Sequence, residues 1–392
     1  MLKRFLASLP LALLLTACSD SSNDSAPGTS NAVTPQYDFT PASQWLEGFV
    51  RDEELFDGAG LIVVSAEHGI LHTESFGNHT PDMVYLLASV SKVPSVSLLM
   101  ALASDPDVDL DIDTPIENYL PWEGVYPGIT TVQLLSNTSG IPGLLQTFAG
   151  GYGAHNCQYA LPGDFPNAES LQACSQAIYQ TALDNSNPPG TVFDYGGSQW
   201  QLAGGLAEVV GGDSWANLFR QYIAEPCELE VFEYGNMFSD TAAWTGNPDS
   251  LRGRDNPNIE GGGIANLNDI AVLLRMHLND GRCGDQQVMA ASLAQRMRVD
   301  IGTELGSRDW VGSDGRGYGI GWWIPQDSAV REPTLFVDGG AFGSVSWIDT
   351  GRGYGAFVAL AKYDNIVEAR RGPARINPEF IPIMDAIMDN PL

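Results

Sequence analysis

Apolar positions along the chain change their period more than once, and those changes outline the fold. Between residues 45 and 56, Trp45, Phe49 and Val50 share one side of a 3.6-residue repeat, which predicts a helix. Gly58-Ala59-Gly60 interrupts it, and the β-branched run Leu61-Ile62-Val63-Val64 predicts a strand. Glu67-His68-Gly69 turns the chain, so residues 70–75 return as the hairpin partner. A helix begins near Ala88 and is followed by an Asp-rich loop, 105–113. The stretch 115–260 is broken by Gly and Pro and carries short helical patches, among them Thr131–Leu135 and 200–210. Helical period returns over Leu267–Leu278. The last third reads as strand at 318–323, 334–337, 344–348 and 356–361, before a closing helix over Ile381–Met388.

Strands at both chain ends around a helical middle predict an α/β (α+β) fold. Its sheet is built from the two termini, about 41–100 and 265–392. The helical and loop-rich part, about 101–264, forms the other wall of a cleft. At 392 residues and 44% hydrophobic composition, the chain can bury a large core.

The front of the chain reads differently. Residues 18–40 are rich in Ser, Asn, Asp, Pro and Thr, the composition of a flexible tether. Before them, Lys3 and Arg4 precede an apolar run, 5–15, too short to span a bilayer, which identifies residues 1–17 as a signal peptide. The junction Leu15-Thr16-Ala17-Cys18 resembles the bacterial lipoprotein box, which implies cleavage before Cys18 and a diacylglycerol on its sulfur. Ser19 in place of Asp implies export onward to the outer membrane of a Gram-negative bacterium. The alternative is an ordinary secretory signal with an incidental cysteine. Either way the globular body is a single domain, 41–392; under the lipoprotein reading the only membrane contact expected is the lipid anchor.

Charge and cysteines narrow the chemistry. A formal net charge of −29 repels phosphate backbones and excludes nucleic acid as a partner. Four cysteines remain besides Cys18, an even number suited to two disulfides in an oxidising compartment. Three pairings are open; Cys157–Cys174 and Cys227–Cys283 are preferred over the others and over buried thiols. His68 and His72 lie four apart, but Gly69 and the β-rich residues after it make a hairpin rather than a zinc-binding helix. No metal or other cofactor is assigned.

Gly-x-Ser-x-Gly, a phosphate-binding loop and His-Glu-x-x-His are all absent. Ser89-Val90-Ser91-Lys92 is present, opening an apolar helical run. A serine hydroxyl needs a base to take its proton. On a helix, residues three apart share a face, so Lys92 reaches Ser89 while Ser91 points elsewhere. A lysine amine serves as a base only where burial or neighbouring charge favours its neutral form. Alone, such a tetrad is also what a solvated helix end can look like.

Its context is more specific. Residues 58–77, 86–92, 110–121, 129–142, 189–212, 260–278 and 318–323 resemble, in order, the segments of the serine β-lactamase-like hydrolases. That family holds class C β-lactamases, DD-peptidases, esterases and nylon-oligomer hydrolases. The segments include Leu86-Leu87-Ala88-Ser89-Val90-Ser91-Lys92, Leu134-Leu135-Ser136-Asn137-Thr138-Ser139-Gly140 and Tyr318-Gly319-Ile320-Gly321-Trp322-Trp323. The resemblance implies a β-lactamase/transpeptidase-like fold with an antiparallel sheet. It implies Ser89 as nucleophile and Lys92 with Tyr195 as general base and acid. It places the oxyanion hole at the N–H groups of Ser89 and Ala341. A packed core tyrosine is the other reading of Tyr195.

Departures bear on the substrate. Where the family has Tyr-x-Asn, this chain has Tyr195-Gly196-Gly197, with Ser198 as a partial substitute for the amide. Where the family has a cationic triplet, it has Asp338-Gly339-Gly340, here read as substrate-binding residues. An aspartate would repel a substrate carboxylate. Asn137 stands where relatives often carry His, a structural position. Trp200, Trp322, Trp323, Phe342 and Trp347 either line an acyl pocket or pack the core. The expected activity is cleavage of small ester or amide substrates, neutral or amine-bearing, through an acyl-enzyme. A DD-peptidase or weak β-lactamase is the first alternative, and an inactive envelope-binding lipoprotein the second. Oligomeric state is left open.

Overall fold

The computed structural model describes residues 34–143, 157, 170–182, 186–236, 244–303, 305, 316–325 and 333–392. The signal segment, Cys18, most of the tether and all of 148–169 except Cys157 lie outside the described residues. Residues 36–392 form one compact unit. No helix among the described residues is long and apolar enough to cross a membrane.

A seven-stranded antiparallel sheet runs in the order β2-β1-β12-β11-β10-β9-β8. Here β1 is Gly58–Ser65, β2 Gly69–Gly77, β8 Gly317–Tyr318, β9 Trp323–Ile324, β10 Leu335–Gly339, β11 Val345–Asp349 and β12 Tyr354–Ala359. The two chain ends meet where β1 pairs with β12, from Gly60 opposite Ala359 to Ser65 opposite Tyr354. This is the terminal assembly the hydrophobic pattern predicted. Every residue of β1 is buried because both of its faces are covered. Leu61 and Val63 enter one core and Ile62 and Val64 the other, as strand alternation requires.

The first core lies under helix α1 (Thr40–Glu53) and the closing helix Ile381–Met388, where Leu46, Phe49, Trp347, Phe380 and Met384 pack together. The second is larger and centres on α2 (Lys92–Ser104). All but the last two residues of α2 are buried, which suits a mostly apolar helix without a polar face. In the same core lie the middle helices α3 (Thr131–Leu135), α4 (Leu171–Gln180) and α5 (Gly197–Gly211), and then α6 (Leu267–Leu278). A capping box joining Thr130 and Gln133 starts α3. A small sheet, in the order β3-β5-β4, links β3 (Tyr85–Leu86), β5 (Gly263–Ala265) and β4 (Glu233–Tyr234) just ahead of the nucleophile segment, and β6 (Arg282–Cys283) and β7 (Gln286–Gln287) form a separate pair.

One expected strand is not a single strand. Residues 318–323 turn back on themselves, with Gly319 N–H donating to Trp322 O at 2.9 Å, so that β8 and β9 form a tight hairpin. Gly321 makes this possible, with a φ of +87° in the left-handed region. His72 lies in strand β2 against Glu74, as the hairpin reading required. Both preferred disulfides form: Cys157–Cys174 and Cys227–Cys283, with Cα atoms 5.3 and 5.0 Å apart.

Candidate active site

The nucleophile segment enters from β3, with Leu87 N–H donating to Gly263 O at 2.9 Å. A single 3₁₀ turn, Ala88–Ser91, then leads directly into α2. Ala88 holds a φ of +47° without being glycine and is fully buried, strain of about 1–3 kcal/mol that the surrounding packing maintains. That twist leaves Ser89 partly exposed at the head of the helix.

Three groups chosen from the sequence meet at one atom. Lys92 Nζ donates to Ser89 Oγ at 3.1 Å, and Tyr195 Oη donates to the same oxygen at 2.9 Å. Lys92 is buried; its Nζ also donates to Glu260 O at 3.0 Å and lies 4.6 Å from the centre of the Tyr195 ring. The Ser89 oxygen thus receives two donors, and its own proton can leave through either partner once that partner has somewhere to pass one.

Tyr195 is delivered by the loop ahead of α5, and Asn137 holds that loop. Asp194 N–H donates to Asn137 O at 2.8 Å. Asn137 Oδ1 in turn accepts from Trp200 Nε1 at 2.9 Å, Gln199 Nε2 at 3.1 Å and Gly196 N at 3.4 Å. Asn137 is fully buried with a φ of +58°, a conformation asparagine tolerates better than most residues. Its structural reading stands.

Electrostatics at the site are dominated by burial. Burial raises the Tyr195 phenol, with the Lys92 charge opposing it. Burial likewise raises Glu260, against Lys92 and the Asn258 amide, which donates to it at 2.9 Å. It pushes Asp338 well above the usual carboxylate range, with Lys92 and then the Gly339 N–H opposing.

Of the residues read as substrate contacts, Asp338 has no exposed surface and Ser198 is buried as well. Side chains alternate along β10: Val337 belongs to the core under α1, and a Cβ on Gly339 would point to Pro373, 3.5 Å away. Gly340 instead faces the nucleophile turn, where a Cβ would come 2.5 Å from Leu87 O. The turn after it is closed by Gly340 N–H to Ser344 O at 2.8 Å and Gly343 N–H to Gly340 O at 3.0 Å. Ala341 then packs, partly buried, in the same apolar cluster as Ala88.

Of the five aromatics, Trp200, Trp322 and Trp347 are fully buried core residues, Trp347 on the far face of the sheet. Trp323 and Phe342 flank the site. Trp323 stacks on Tyr195 at 5.4 Å in a wall with Phe193 and Tyr318, and Phe342 joins Tyr363, Trp244 and Ala341. Sequence reasoning missed the Glu260 carbonyl as a lysine partner, although Glu260 heads the matched segment 260–278. No group of three or more His, Cys, Asp or Glu that could hold a metal occurs among the described residues.

Comparison with known proteins identifies the family. "Penicillin-binding protein 4" of Amycolatopsis lactamdurans is 26% identical over 344 residues, 81% of this chain and 84% of that protein. The crystal structure of a putative β-lactamase from Bacteroides dorei is 27% identical, with a TM-score of 0.65 over 83% of this chain and 91% of that one. EstCE1, described as a hydrolase with promiscuous acyltransferase activity, shares the fold at 17% identity, with a TM-score of 0.66 over 85% and 98% of the two chains. A profile of the Beta-lactamase family matches residues 51–378, and the chain belongs to that family.

Proposed function

We propose that the protein hydrolyses ester or amide bonds through an acyl-enzyme on Ser89, acting mainly on small esters or linear ester and amide oligomers. The observation that carries this reading is the convergence of Lys92 and Tyr195 on Ser89 Oγ, at 3.1 and 2.9 Å. Ser89 attacks the carbonyl carbon while its proton passes to the Lys92–Tyr195 side. The N–H groups of Ser89 and Ala341 receive the oxyanion. The leaving group departs with a proton, and water then releases the acyl group by the same route in reverse. With Asp338 buried and Gly197 where the family has an amide, no cation or amide marks out a substrate carboxylate at those two positions. This supports neutral or amine-bearing acyl groups.

A second reading, DD-peptidase or weak β-lactamase, is favoured by the likeness to "Penicillin-binding protein 4". Turnover of p-nitrophenyl acetate and butyrate, nitrocefin and a 6-aminohexanoate dimer by the full chain, beside Ser89→Ala, separates the two. Ester or dimer cleavage that disappears in the variant supports the first; cleavage of nitrocefin alone supports the second. Absence of all turnover, with no labelling by a serine-reactive phosphonate, contradicts both.

From the Leu15-Thr16-Ala17-Cys18 junction we also propose that a lipid on Cys18 anchors the protein in the outer membrane. Mass analysis of the N-terminal peptide from membranes tests it, with Cys18→Ser expected to release the protein.

A further inference from the structure

Ser89, Lys92 and Ser95 recur every three positions at the head of α2, and the last two both reach the loop that carries Glu260. Ser95 is fully buried, and its Oγ donates to Ile259 O at 2.7 Å. Ile259 O belongs to the peptide just ahead of Glu260. Because that unit is planar, holding it sets the position from which Glu260 O meets Lys92 Nζ at 3.0 Å. Ser95 Oγ also lies 2.8 Å from Tyr234 Oη, which donates to Ser91 O at 3.1 Å. Burial pushes the Tyr234 phenol well above its ordinary value, so it stays protonated as a donor. Gly263 N–H completes the link by donating to Ser91 Oγ at 2.9 Å. A Cβ on Gly263 would come 2.8 Å from that oxygen, so only glycine lets the loop approach this closely. Two hydroxyls on the nucleophile segment and a phenol on β4 thus bind together both sides of the Lys92–Glu260 contact.

We propose that Ser95 is a positioning residue for acyl transfer: through Ile259 O it fixes the Glu260 carbonyl, and that carbonyl aims Lys92 Nζ at Ser89 Oγ. The inference rests on the acyl-enzyme reading above and adds to it the group that holds the lysine in place. Lys92 needs such a guide, because its amine sits at the end of a flexible four-carbon stem. Its hydrogen bonds to Glu260 O and Ser89 Oγ decide where that amine points. If Ile259 O lost its donor, a buried acceptor would be left unpaired, and the peptide between Ile259 and Glu260 would turn to find another. Glu260 O would turn with it and draw Lys92 Nζ off the line to Ser89 Oγ. A displacement of about 1 Å between reacting groups is enough to slow a reaction about 10²-fold. Substrate binding would change little, because Ser95 has no exposed surface with which to touch a substrate.

The test is steady-state hydrolysis of p-nitrophenyl butyrate by the full chain and by its Ser95→Ala, Ser95→Cys and Ser97→Ala variants. Rates are expressed per Ser89 titrated to completion with a serine-reactive phosphonate, so that unfolded protein is not counted. Ser97 is the matched control: equally buried on the same helix, it donates to Val93 O at 2.9 Å and lies 3.0 Å from His277 Nε2, with no hydrogen bond to the Glu260 loop among the described residues. Ser95→Ala is expected to lose at least about tenfold in kcat. Its KM should change by less than about twofold, and phosphonate labelling of Ser89 should slow by the same factor as kcat. Ser95→Cys, close to serine in shape but a weak donor, is expected to show the same kcat loss and gives the result if the alanine variant does not fold. Ser97→Ala is expected to lower the denaturation midpoint while leaving kcat within about twofold of the wild type. Wild-type kcat in the Ser95 variants, a loss confined to KM, or an equal kcat loss in Ser97→Ala overturns the proposal. Should Ser89→Ala remain active, the acyl-enzyme reading itself fails; should Ser89→Ala be dead while the Ser95 variants keep the wild-type kcat, the positioning role alone fails.

Discussion

Ser89 Oγ accepts from both Lys92 and Tyr195, so substitutions at these three positions differ in what they leave behind. Ser89→Ala removes the nucleophile, and kcat/KM for p-nitrophenyl esters is expected to fall by more than about 10³-fold with the fold intact by circular dichroism. Tyr195→Phe keeps the ring that stacks on Trp323 and deletes only the donor. Its expected cost is about 10²–10⁴-fold in kcat with KM little changed; a change confined to KM would contradict a proton-transfer role. The Ser89–Lys92 pair was legible in the sequence because its geometry is local, set by three-residue spacing at a helix start. Tyr195 was legible only through its motif, since 106 residues separate it from Ser89. The burial of Asp338 was not legible, because the direction of a strand side chain matters only once the elements on each face are known.

Elements set the precision of those contacts. The Gly340 backbone passes so close to Leu87 O that an added Cβ would lie 2.5 Å from it. Gly340→Ala is therefore expected to displace the strand end beside the nucleophile, costing about 1–3 kcal/mol of stability and at least tenfold in kcat/KM. Chemical denaturation and ester kinetics read the two effects separately. Behind the site, α2 packs on α6 through Ser97 Oγ and His277 Nε2, 3.0 Å apart. Burial, helped by Arg298, pushes the His277 imidazole down to about 3. The unfolded chain protonates this histidine near its ordinary value of about 6.5. Between those values the folded state binds fewer protons, so the stability due to neutral His277 is full above about pH 6.5 and falls as pH drops towards 3. The limiting slope is about 1.4 kcal/mol per pH unit. Denaturation at pH 7.5 and 5 should show a smaller acid loss in His277→Gln than in the wild type; equal losses would contradict it. Periodic elements were read well, with Leu267–Leu278 and Ile381–Met388 found at their predicted bounds. The 318–323 segment was misread because its alternating pattern conceals a turn that only the conformation of Gly321 reveals.

For the whole molecule, the sheet drawn from both chain ends makes the fold depend on contacts distant in sequence, and the disulfides tie parts of it together. Cys227–Cys283 spans 56 residues and Cys157–Cys174 spans 17. On loop length, each is worth about 3–4 kcal/mol, the longer somewhat more. Replacing Cys227 and Cys283 together by Ser should thus lower the unfolding midpoint further than the corresponding change at Cys157 and Cys174, measured with oxidised protein. The reverse order would mean that local packing, rather than chain entropy, dominates. An even cysteine count suggested two bonds but left three pairings, because connectivity is a property of the folded chain.

The most direct measurement of the central claim is the mass of the enzyme itself during turnover. Full-length protein mixed with p-nitrophenyl butyrate and quenched in acid within the first turnovers should gain one butyryl group, mapped by peptide analysis to Ser89 and absent from Ser89→Ala. Steady ester turnover with no acyl group on Ser89, or with the group on another residue, would contradict the account.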